Sequence, residues 1–243
     1  MKLICLNLWG GRIYQPLAKF LKEHSSETDI FCFQEIYHHA EDGMSDELRK
    51  HRPNLFADIQ QLLPDHKAYF RPVIRGVYGI AIFVKKGILV LEEGEIDIFR
   101  NQNYPGHGGS HSRNLQWIRV KVNDKMYSIM NVHGLHTGSG KEDTPERLLQ
   151  SKRIKDFMLR ISGMKILCGD FNLLPETESL KLLEDQMINL VKKYEIKSTR
   201  SHYYTKEVKF ADYVLVSSDV DVRQFEVLQE SVSDHLPLLL EFD

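Results

Sequence analysis

Short apolar runs separated by turn residues fill the middle of this 243-residue chain, and they constrain its fold more than any other feature. Dipeptides typical of turns, Lys86-Gly87 and Asn123-Asp124, divide neighbouring runs. This pattern predicts hairpins within a mostly antiparallel sheet. The central strand-like runs are 67–72, 78–85, 89–99, 114–122 and 125–132.

Helices are predicted on either side of these runs. Leu17, Phe20 and Leu21 lie three and four positions apart, which favours an amphipathic helix that ends near residue 25. Thr144 followed by Pro145 is typical of a helix start, with threonine as the N-cap and proline at the first helical position. Further helices are expected within 38–64 and from residue 175.

Carboxylate and amide side chains stand where two apolar strands end. Asp170 and Asn172 follow the strand-like run 166–168, and with Phe171 pointing to the opposite face both polar groups would face one site. Asp and Asn are also ordinary turn residues after a strand, so this motif alone leaves both roles open. Glu35 ends another apolar strand, where a buried carboxylate is either a metal ligand or part of a structural salt bridge.

Three further strand ends carry polar groups. Asn7 interrupts the apolar first strand, where it is either a turn or cap residue or a polar group that contributes to a functional site. Asp212 breaks the strand-like run 210–217, and Asp234-His235 precedes the last strand. At one edge of a sheet sandwich these side chains would form a pocket suited to Mg²⁺ or Mn²⁺ and to phosphate. Zinc would require more histidine and cysteine ligands.

Four histidines that follow a strand or lie in a central loop are candidate contacts to a substrate. His133 directly follows its strand, so a loop can aim it into a cleft as a phosphate contact or proton donor. His136 is a weaker candidate for substrate binding. The loop histidines His107 and His111 contact either a substrate or only water.

Composition narrows the class of protein. With 42% hydrophobic and 27% charged residues the chain is typical of a globular protein, and no run of about 18 apolar residues is present to span a membrane. The three cysteines lie in apolar runs without zinc or disulfide spacing, which favours a reducing, cytoplasmic setting. The formal charge of −2 gives no overall attraction to nucleic acid. Without a linker or repeat, residues 2–242 are predicted to form one domain that begins with a strand and not with a signal peptide.

An ordered set of motifs runs through the chain: Asn7, Gln34-Glu35, Asn131-x-His133, Gly169-Asp170-Phe171-Asn172, Asp212-Tyr213 and Ser233-Asp234-His235. In this order the set resembles the endonuclease/exonuclease/phosphatase superfamily, the group of deoxyribonuclease I and exonuclease III. The resemblance spans residues 2 to 242. It implies an α/β fold, a four-layered sandwich of two central, mostly antiparallel sheets flanked by helices, with the site at one edge.

The resemblance also implies roles for the strand-end residues. Glu35 would be the principal ligand of a divalent metal ion, Mg²⁺ or Mn²⁺, assisted by Asn7 and Asp234. Asp170 would orient or deprotonate the attacking water. Asn172 would hold the phosphoryl group during the reaction.

Histidines and arginines would complete such a site. His235, oriented by Asp212, would either stabilise charge on the phosphate or act as the base, and His133 would contact the scissile phosphate or protonate the leaving group. Arg113 and His136 are candidates for binding the substrate. The other arginines of the middle loops, which either rim the site or are simply solvated, are Arg71, Arg75 and Arg100.

The chemistry implied is that of a divalent-metal-dependent phosphoesterase, which hydrolyses a phosphodiester by in-line attack of an activated water. Nucleic acid is the leading substrate, and a small-molecule or lipid phosphodiester is the alternative. A catalytically silent binding module of the same fold is a further alternative, although none of the motif residues is missing. We expect a cytoplasmic monomer with no protein partner and no stable membrane association.

Overall fold

The computed structural model describes residues 1–40, 50–105, 108–138 and 140–243, which form two six-stranded sheets and their covering helices. The strands are β1 (Lys2–Asn7), β2 (Ile30–Tyr37), β3 (His66–Ile74), β4 (Tyr78–Lys85), β5 (Leu89–Phe99), β6 (Arg113–Val122), β7 (Lys125–His133), β8 (Met164–Asp170), β9 (Ile188–Asn189), β10 (Asp212–Val216), β11 (Val222–Val227) and β12 (Leu238–Phe242). The helices are α1 (Tyr14–His24), α2 (Leu55–Leu62), α3 (Pro145–Arg160), α4 (Glu178–Glu184) and α5 (Leu190–Lys193), and a 3₁₀ turn spans Trp9–Gly11.

One parallel pair of strands in each sheet brings strand ends together. The first sheet has the order β11-β12-β1-β2-β4-β3 and the second β5-β6-β7-β8-β10-β9. β1 runs parallel to β2, and β7 runs parallel to β8, whereas the other pairs of the described strands are antiparallel. The prediction of mostly antiparallel sheets is therefore confirmed. Because parallel strands end on the same side, the carboxyl ends of β1 and β2 lie together, as do those of β7 and β8.

Helices cover the outer faces of both sheets. α1 and α2 pack on the first sheet over a layer that contains Phe31, Phe33 and Phe83. α3 and α4 cover the second sheet, where Ile154 and Leu183 join the core that also fills the space between the sheets. Helix, sheet, sheet and helix thus form the four-layered α/β sandwich that the sequence resemblance implies.

A buried amide pair joins the two sheets. Gln34 on β2 donates from Nε2 to Oδ1 of Asn131 on β7 over 2.7 Å, and neither side chain is exposed to solvent. Nδ2 of Asn131 donates back to the carbonyl oxygens of Phe33 and Ala81, at 3.1 and 3.2 Å. Amides in an apolar core are tolerated only when they are hydrogen-bonded, so this contact fixes how β2 and β7 face each other.

Several sequence expectations about the elements require correction. β10 begins at Asp212, so this residue starts the strand and does not break it. In the segment 38–64, the helix expected from Leu55, Ile59, Leu62 and Leu63 is confirmed as α2 (Leu55–Leu62), and residues 41–49 lie outside the described ranges. The two-residue strand β9 and the four-residue helix α5 were not predicted, because elements this short show no periodicity.

The three cysteines behave as the apolar runs around them predict. Cys5 on β1, Cys32 on β2 and Cys168 on β8 are buried free thiols in the core between the sheets. Among the helices of the described ranges, none is long and apolar enough to cross a membrane.

We expect the substitution Asn131→Leu to lower the free energy of unfolding by about 3 kcal/mol, because it removes the shortest hydrogen bond of the buried Gln34 amide and the bonds to two buried carbonyl oxygens. Urea denaturation followed by circular dichroism measures this change. The matched control is Gln224→Leu on the exposed face of β11, which should change stability by less than about 0.5 kcal/mol. Equal effects of the two substitutions would contradict a joining role for the buried pair.

Candidate functional site

The polar strand ends meet at one edge of the sandwich. His133 on β7, Asp170 on β8 and Asp212 on β10 are paired neighbours across the second sheet. From the first sheet, Nδ2 of Asn7 donates to Oδ2 of Asp170 at 3.0 Å and to Oε1 of Glu35 at 3.1 Å. Both sheets therefore contribute side chains to a single polar cluster.

An irregularity in β2 positions the carboxylate of Glu35. Between Phe33 and Ile36 the pairing with β4 shifts register, so that three steps along β2 face two along β4. Glu35 lies inside this bulge with a φ of 58°, a left-handed conformation that is unusual for a residue with a side chain. Bulges of this kind redirect a side chain at the end of a strand, and the backbone strain is maintained by the surrounding packing.

Gly169 allows β8 to approach β7 closely just before Asp170. Its φ is 147°, and a Cβ atom at this position would lie 1.9 Å from the carbonyl oxygen of Val132. Only glycine fits there without displacing the neighbouring backbone. The glycine of the Gly-Asp motif thus has a packing reason, because it lets the Asp170 end of β8 reach the edge where the two sheets meet.

Asp170 is a buried carboxylate with two imidazole rings close to it. Its Oδ2 lies 3.7 Å from Nε2 of His133 and 3.6 Å from Nε2 of His235. Burial alone would favour the neutral acid, but His235, His133, Lys141 and Arg200 outweigh it and hold the pKa of Asp170 well below its usual range. Asp170 is therefore ionised at neutral pH, as a group that binds a cation or accepts a proton must be.

Asn172 reaches the site in a different way from the one predicted. β8 ends at Asp170, and Asn172 has a φ of 53°, so simple alternation along a strand does not apply to it. Its backbone N–H donates to Oδ1 of Asp170 at 2.9 Å, and its Nδ2 donates to the carbonyl oxygen of Gly134 at 3.3 Å. Phe171, between the two polar residues, is buried in the core as expected.

His235 is held by Asp212. Both carboxylate oxygens of Asp212 lie 2.8 Å from Nδ1 of His235, and Oδ2 also accepts a hydrogen bond from the Thr199 hydroxyl at 3.0 Å. This contact places a proton on Nδ1 and directs Nε2 towards Asp170. Burial and Arg200 lower the pKa of His235, but the three carboxylates of Asp212, Asp234 and Asp170 prevail and raise it.

Two basic residues of the site were missed at the sequence level. Nη1 of Arg200 lies 3.1 Å from Oδ2 of Asp234 and also contacts Nε2 of His235. Nζ of Lys141 donates to the carbonyl oxygen of Phe210 at 3.2 Å, and burial lowers its pKa to about 8 although Asp170 opposes this effect. Both residues come from irregular loops, where no periodic signal marks a buried cation. Asp234, predicted to assist the metal ion, has one carboxylate oxygen engaged by Arg200.

His133 lies on the side of Asp170 away from Asp212, and Arg113 is close to it. Burial, together with Arg113, lowers the pKa of His133 well below its usual value, so its imidazole is neutral. Arg113 is 2% exposed, and its Nη2 donates to the carbonyl oxygen of Gly109 at 2.9 Å. Its Nε and Nη1 atoms have no hydrogen-bond partner in the described part of the chain. The sequence prediction that Arg113 contacts a substrate is compatible with these free donors.

The remaining predicted substrate contacts lie farther out. His136 is exposed, and its ring packs against Gly109. Arg71 and Arg100 do not rim the site, because they pair with the carboxylates of Glu93 and Asp97 respectively. His107 lies outside the described residues, and the buried His111, whose pKa burial lowers to about 3, stands beside His133.

The oxygen atoms around Asn7 fit a hard divalent cation. Its Nδ2 lies between carboxylate oxygens of Glu35 and Asp170, the type of ligand that Mg²⁺ and Mn²⁺ prefer. Asn7 turns its nitrogen towards these carboxylates, because its Oδ1 accepts a hydrogen bond from the backbone N–H of Trp9 at 2.9 Å. To bind a metal ion through oxygen, the amide of Asn7 would have to rotate.

A second group of ligand atoms is also close enough to hold a metal ion. Asp170, Asp212 and His235 each offer an atom within 4.8 Å of the others. The oxygens of Asp212 already accept hydrogen bonds from His235 and Thr199. Glu35 does not belong to this group, and the donor nitrogen of Asn7 separates its carboxylate from that of Asp170.

Comparisons with known proteins agree with this architecture. The family model described as "Endonuclease/Exonuclease/phosphatase family" matches residues 4–235. Among solved structures, the Bacteroides thetaiotaomicron mannosyl-6-phosphatase is 19% identical with a TM-score of 0.76, and the match covers 100% of this chain and 99% of that chain. No curated protein matches the sequence significantly.

Two further solved structures have the same fold. D. rerio TDP2 complexed with single strand DNA product is 14% identical, with a TM-score of 0.73 and coverage of 100% of this chain and 98% of that chain. The catalytic domain of human Nocturnin with bound sulfate anion is 18% identical, with a TM-score of 0.70 and coverage of 100% and 93%. At these identities the likeness shows the fold alone.

The buried Lys141 predicts a specific dependence of stability on pH. Its pKa is about 8 in the folded protein against 10.5 ordinarily, so between these values the unfolded state binds more protons and stability rises with pH. We expect the wild type to gain about 3 kcal/mol over Lys141→Met between pH 7.5 and pH 10.5. Urea unfolding at both values measures the gain. An exposed control, Lys86→Met, should follow the wild type, and a Lys141→Met variant that did the same would contradict the lowered pKa.

Proposed function

Because this chain belongs to the endonuclease/exonuclease/phosphatase family, we propose that it is a divalent-metal-dependent phosphoesterase that hydrolyses a phosphodiester by in-line attack of water. Members of the family are hydrolases that act on phosphoester bonds. The observation that carries the proposal is Asp170, an ionised carboxylate buried among two imidazoles, two basic side chains and the amide of Asn7. A carboxylate so placed can receive a proton from water while the neighbouring positive groups face the phosphate.

Glu35 would be the principal ligand of the divalent cation, assisted by Asn7, whose amide contacts it. Bound there, the ion would neutralise negative charge that develops on the phosphoryl oxygens. The strained backbone of Glu35 keeps its carboxylate on the side of Asn7 and supports this assignment.

The protonation states favour one distribution of roles. Water attacks phosphorus and Asp170 takes its proton, while the bond from phosphorus to the leaving oxygen breaks and that oxygen takes a proton from solvent. Carboxylates raise the pKa of His235, and Nη1 of Arg200 contacts its Nε2, so His235 would act together with Arg200 beside the phosphoryl group. His133 is neutral and would donate a hydrogen bond to the scissile phosphate without protonating the leaving group.

The remaining polar groups would hold the phosphoryl group from several sides. Asn172 is fixed by its contacts with Asp170 and Gly134. Arg200 approaches from the side of His235, and Arg113 from the side of His133. With guanidinium groups on both sides, the site provides local positive charge for an anionic substrate in a chain whose formal charge is −2.

Nucleic acid is the substrate that we favour. The free donors of Arg113 suit a phosphate of a polyanionic chain, and the fold is shared with a TDP2 structure complexed with single strand DNA product. A small-molecule or lipid phosphodiester is the alternative. The retained carboxylates and imidazoles oppose a catalytically silent module.

Metal dependence is tested by removing the ion and its principal ligand. We expect EDTA to abolish turnover and Mg²⁺ or Mn²⁺ to restore it, and we expect Glu35→Gln to raise the half-saturating Mg²⁺ concentration at least tenfold. Steady-state rates at increasing Mg²⁺ measure both effects. Glu27→Gln is the control, because Glu27 is exposed and lies before the start of β2, at the other end of the strand from Glu35. Turnover that persists in EDTA would contradict metal dependence.

Substitution of the proposed base tests the mechanism. Asp170→Asn should lower turnover by about 10² to 10⁴ while the protein remains folded, because an amide cannot accept the proton of the water. The assay offers single-stranded DNA, duplex DNA, RNA, a phosphoinositide and sphingomyelin. Asp124→Asn is the control, since Asp124 is exposed in the turn at the far end of β7. Asp170→Asn activity within a few-fold of wild type would rule out this role for Asp170.

A further inference from the structure

A row of aromatic rings begins at the candidate site and continues along the first sheet. The His133 ring faces His111 with centroids 6.5 Å apart, and His111 lies edge-on to Tyr78 at 5.3 Å. Tyr78 contacts Tyr37 at 4.9 Å, and Tyr37 stacks on His51 at 5.3 Å. These distances are those of favourable ring contacts, so the five rings form one continuous aromatic row.

The outer end of the row combines rings with a guanidinium group. Nε of Arg12 lies 2.8 Å from Nε2 of His51, and Cζ of Arg12 lies 4.8 Å from the centroid of the Trp9 ring. Trp9 and Tyr37 are only half-buried, whereas Tyr78 and His111 are buried. The outer rings therefore remain accessible, and the inner ones support them.

Arg113 stands where the row meets the site. Its guanidinium lies close enough to Tyr78, Glu35 and Asp170 for these groups to favour its charged form against the cost of burial. Two of its nitrogen atoms lack a hydrogen-bond partner among the described residues. A buried guanidinium with unused donors is costly unless an anion completes its hydrogen bonds.

Ordinary core packing does not account for the row. The phenylalanines Phe31, Phe33 and Phe83 show what core packing looks like in this protein, because all three are fully buried beneath α1 and α2. Trp9 and Tyr37 differ from them in being half-exposed, in adjoining charged groups and in lying next to Glu35 and Asn7 along the chain. Half-exposed rings that alternate with guanidinium groups beside a phosphate site are typical of surfaces that stack bases of single-stranded nucleic acid.

We propose that Tyr37, at the outer end of this row, and the neighbouring Trp9 form a nucleobase subsite, in which the base next to the scissile phosphoester stacks on these two rings while a phosphate oxygen accepts hydrogen bonds from Arg113. The inference rests on the proposed function, from which the position of the scissile group is taken. It names a nucleotide unit of single-stranded nucleic acid as the feature of the substrate that is recognised.

The test compares two oligomers that carry equal numbers of phosphates. Fluorescein-labelled hexathymidylate and a hexamer of abasic tetrahydrofuran units are titrated in Mg²⁺ at one salt concentration with the Asp170→Asn protein, which should not consume them. Fluorescence anisotropy gives both dissociation constants. We expect hexathymidylate to bind at least about fivefold tighter than the abasic hexamer, since stacking on one ring already contributes this much.

Substitutions then locate the source of the difference. On the same background, Tyr37→Leu should reduce the ratio of the two dissociation constants to nearly one, and Tyr37→Phe should preserve it because the ring remains. If the Tyr37→Leu protein does not fold, Trp9→Leu is used in its place, and it should also reduce the ratio of the two dissociation constants. Tyr194→Leu is the matched control, since Tyr194 is an exposed ring on the segment after α5 that packs against Phe225.

Each outcome decides between the subsite and its absence. Equal affinity for both oligomers, or a ratio that Tyr37→Leu and Trp9→Leu both leave unchanged, would overturn the subsite. Turnover by the wild-type protein is measured separately. Turnover of phosphodiesters without a difference in affinity between the two oligomers would contradict the subsite only. A difference in affinity that depends on Tyr37, without any turnover, would support the subsite and contradict the proposed activity.

Discussion

The hydrogen bond between Gln34 and Asn131 is the contact on which the geometry of the site depends. Interdigitating apolar side chains hold two packed sheets together, but a hydrogen bond between the sheets adds a directional constraint that apolar contacts lack. An amide pair in the core is directional and admits one alignment. Since Glu35 directly follows Gln34 and His133 lies two residues after Asn131, this alignment brings a carboxylate of one sheet to 3.9 Å from an imidazole of the other.

Around Asp170 the protein distributes protons unevenly among similar groups. His133 and His235 both lie within 4 Å of the same carboxylate, yet the pKa of one is lowered and that of the other raised. The difference comes from their other neighbours, because Arg113 stands beside His133 and Asp212 beside His235. Two histidines at similar distances from one carboxylate thus differ in their affinity for a proton, because the local balance of charge around them differs.

Local sequence patterns predicted those features of the structure that depend on residues close together along the chain. The hairpins, the N-cap at Thr144 and the polar residues at strand ends follow from alternation and turn chemistry, and the structure has them. The bulge at Glu35 and the left-handed Asn172 depend on contacts with other strands, so local pattern could not predict them. Arg200 and Lys141 were missed for the same reason. Of the loop arginines whose role the sequence left open, Arg71 and Arg100 pair with carboxylates of β5.

The three buried thiols give the molecule a built-in reporter of its own opening. Cys5, Cys32 and Cys168 line the interior between the sheets, and Cys5 lies 3.5 Å from the amide nitrogen of Gln34. A thiol-reactive reagent in solution reaches them only when the sheets separate. The rate at which native protein becomes labelled therefore measures how often the sandwich parts at the place where its catalytic edge is aligned.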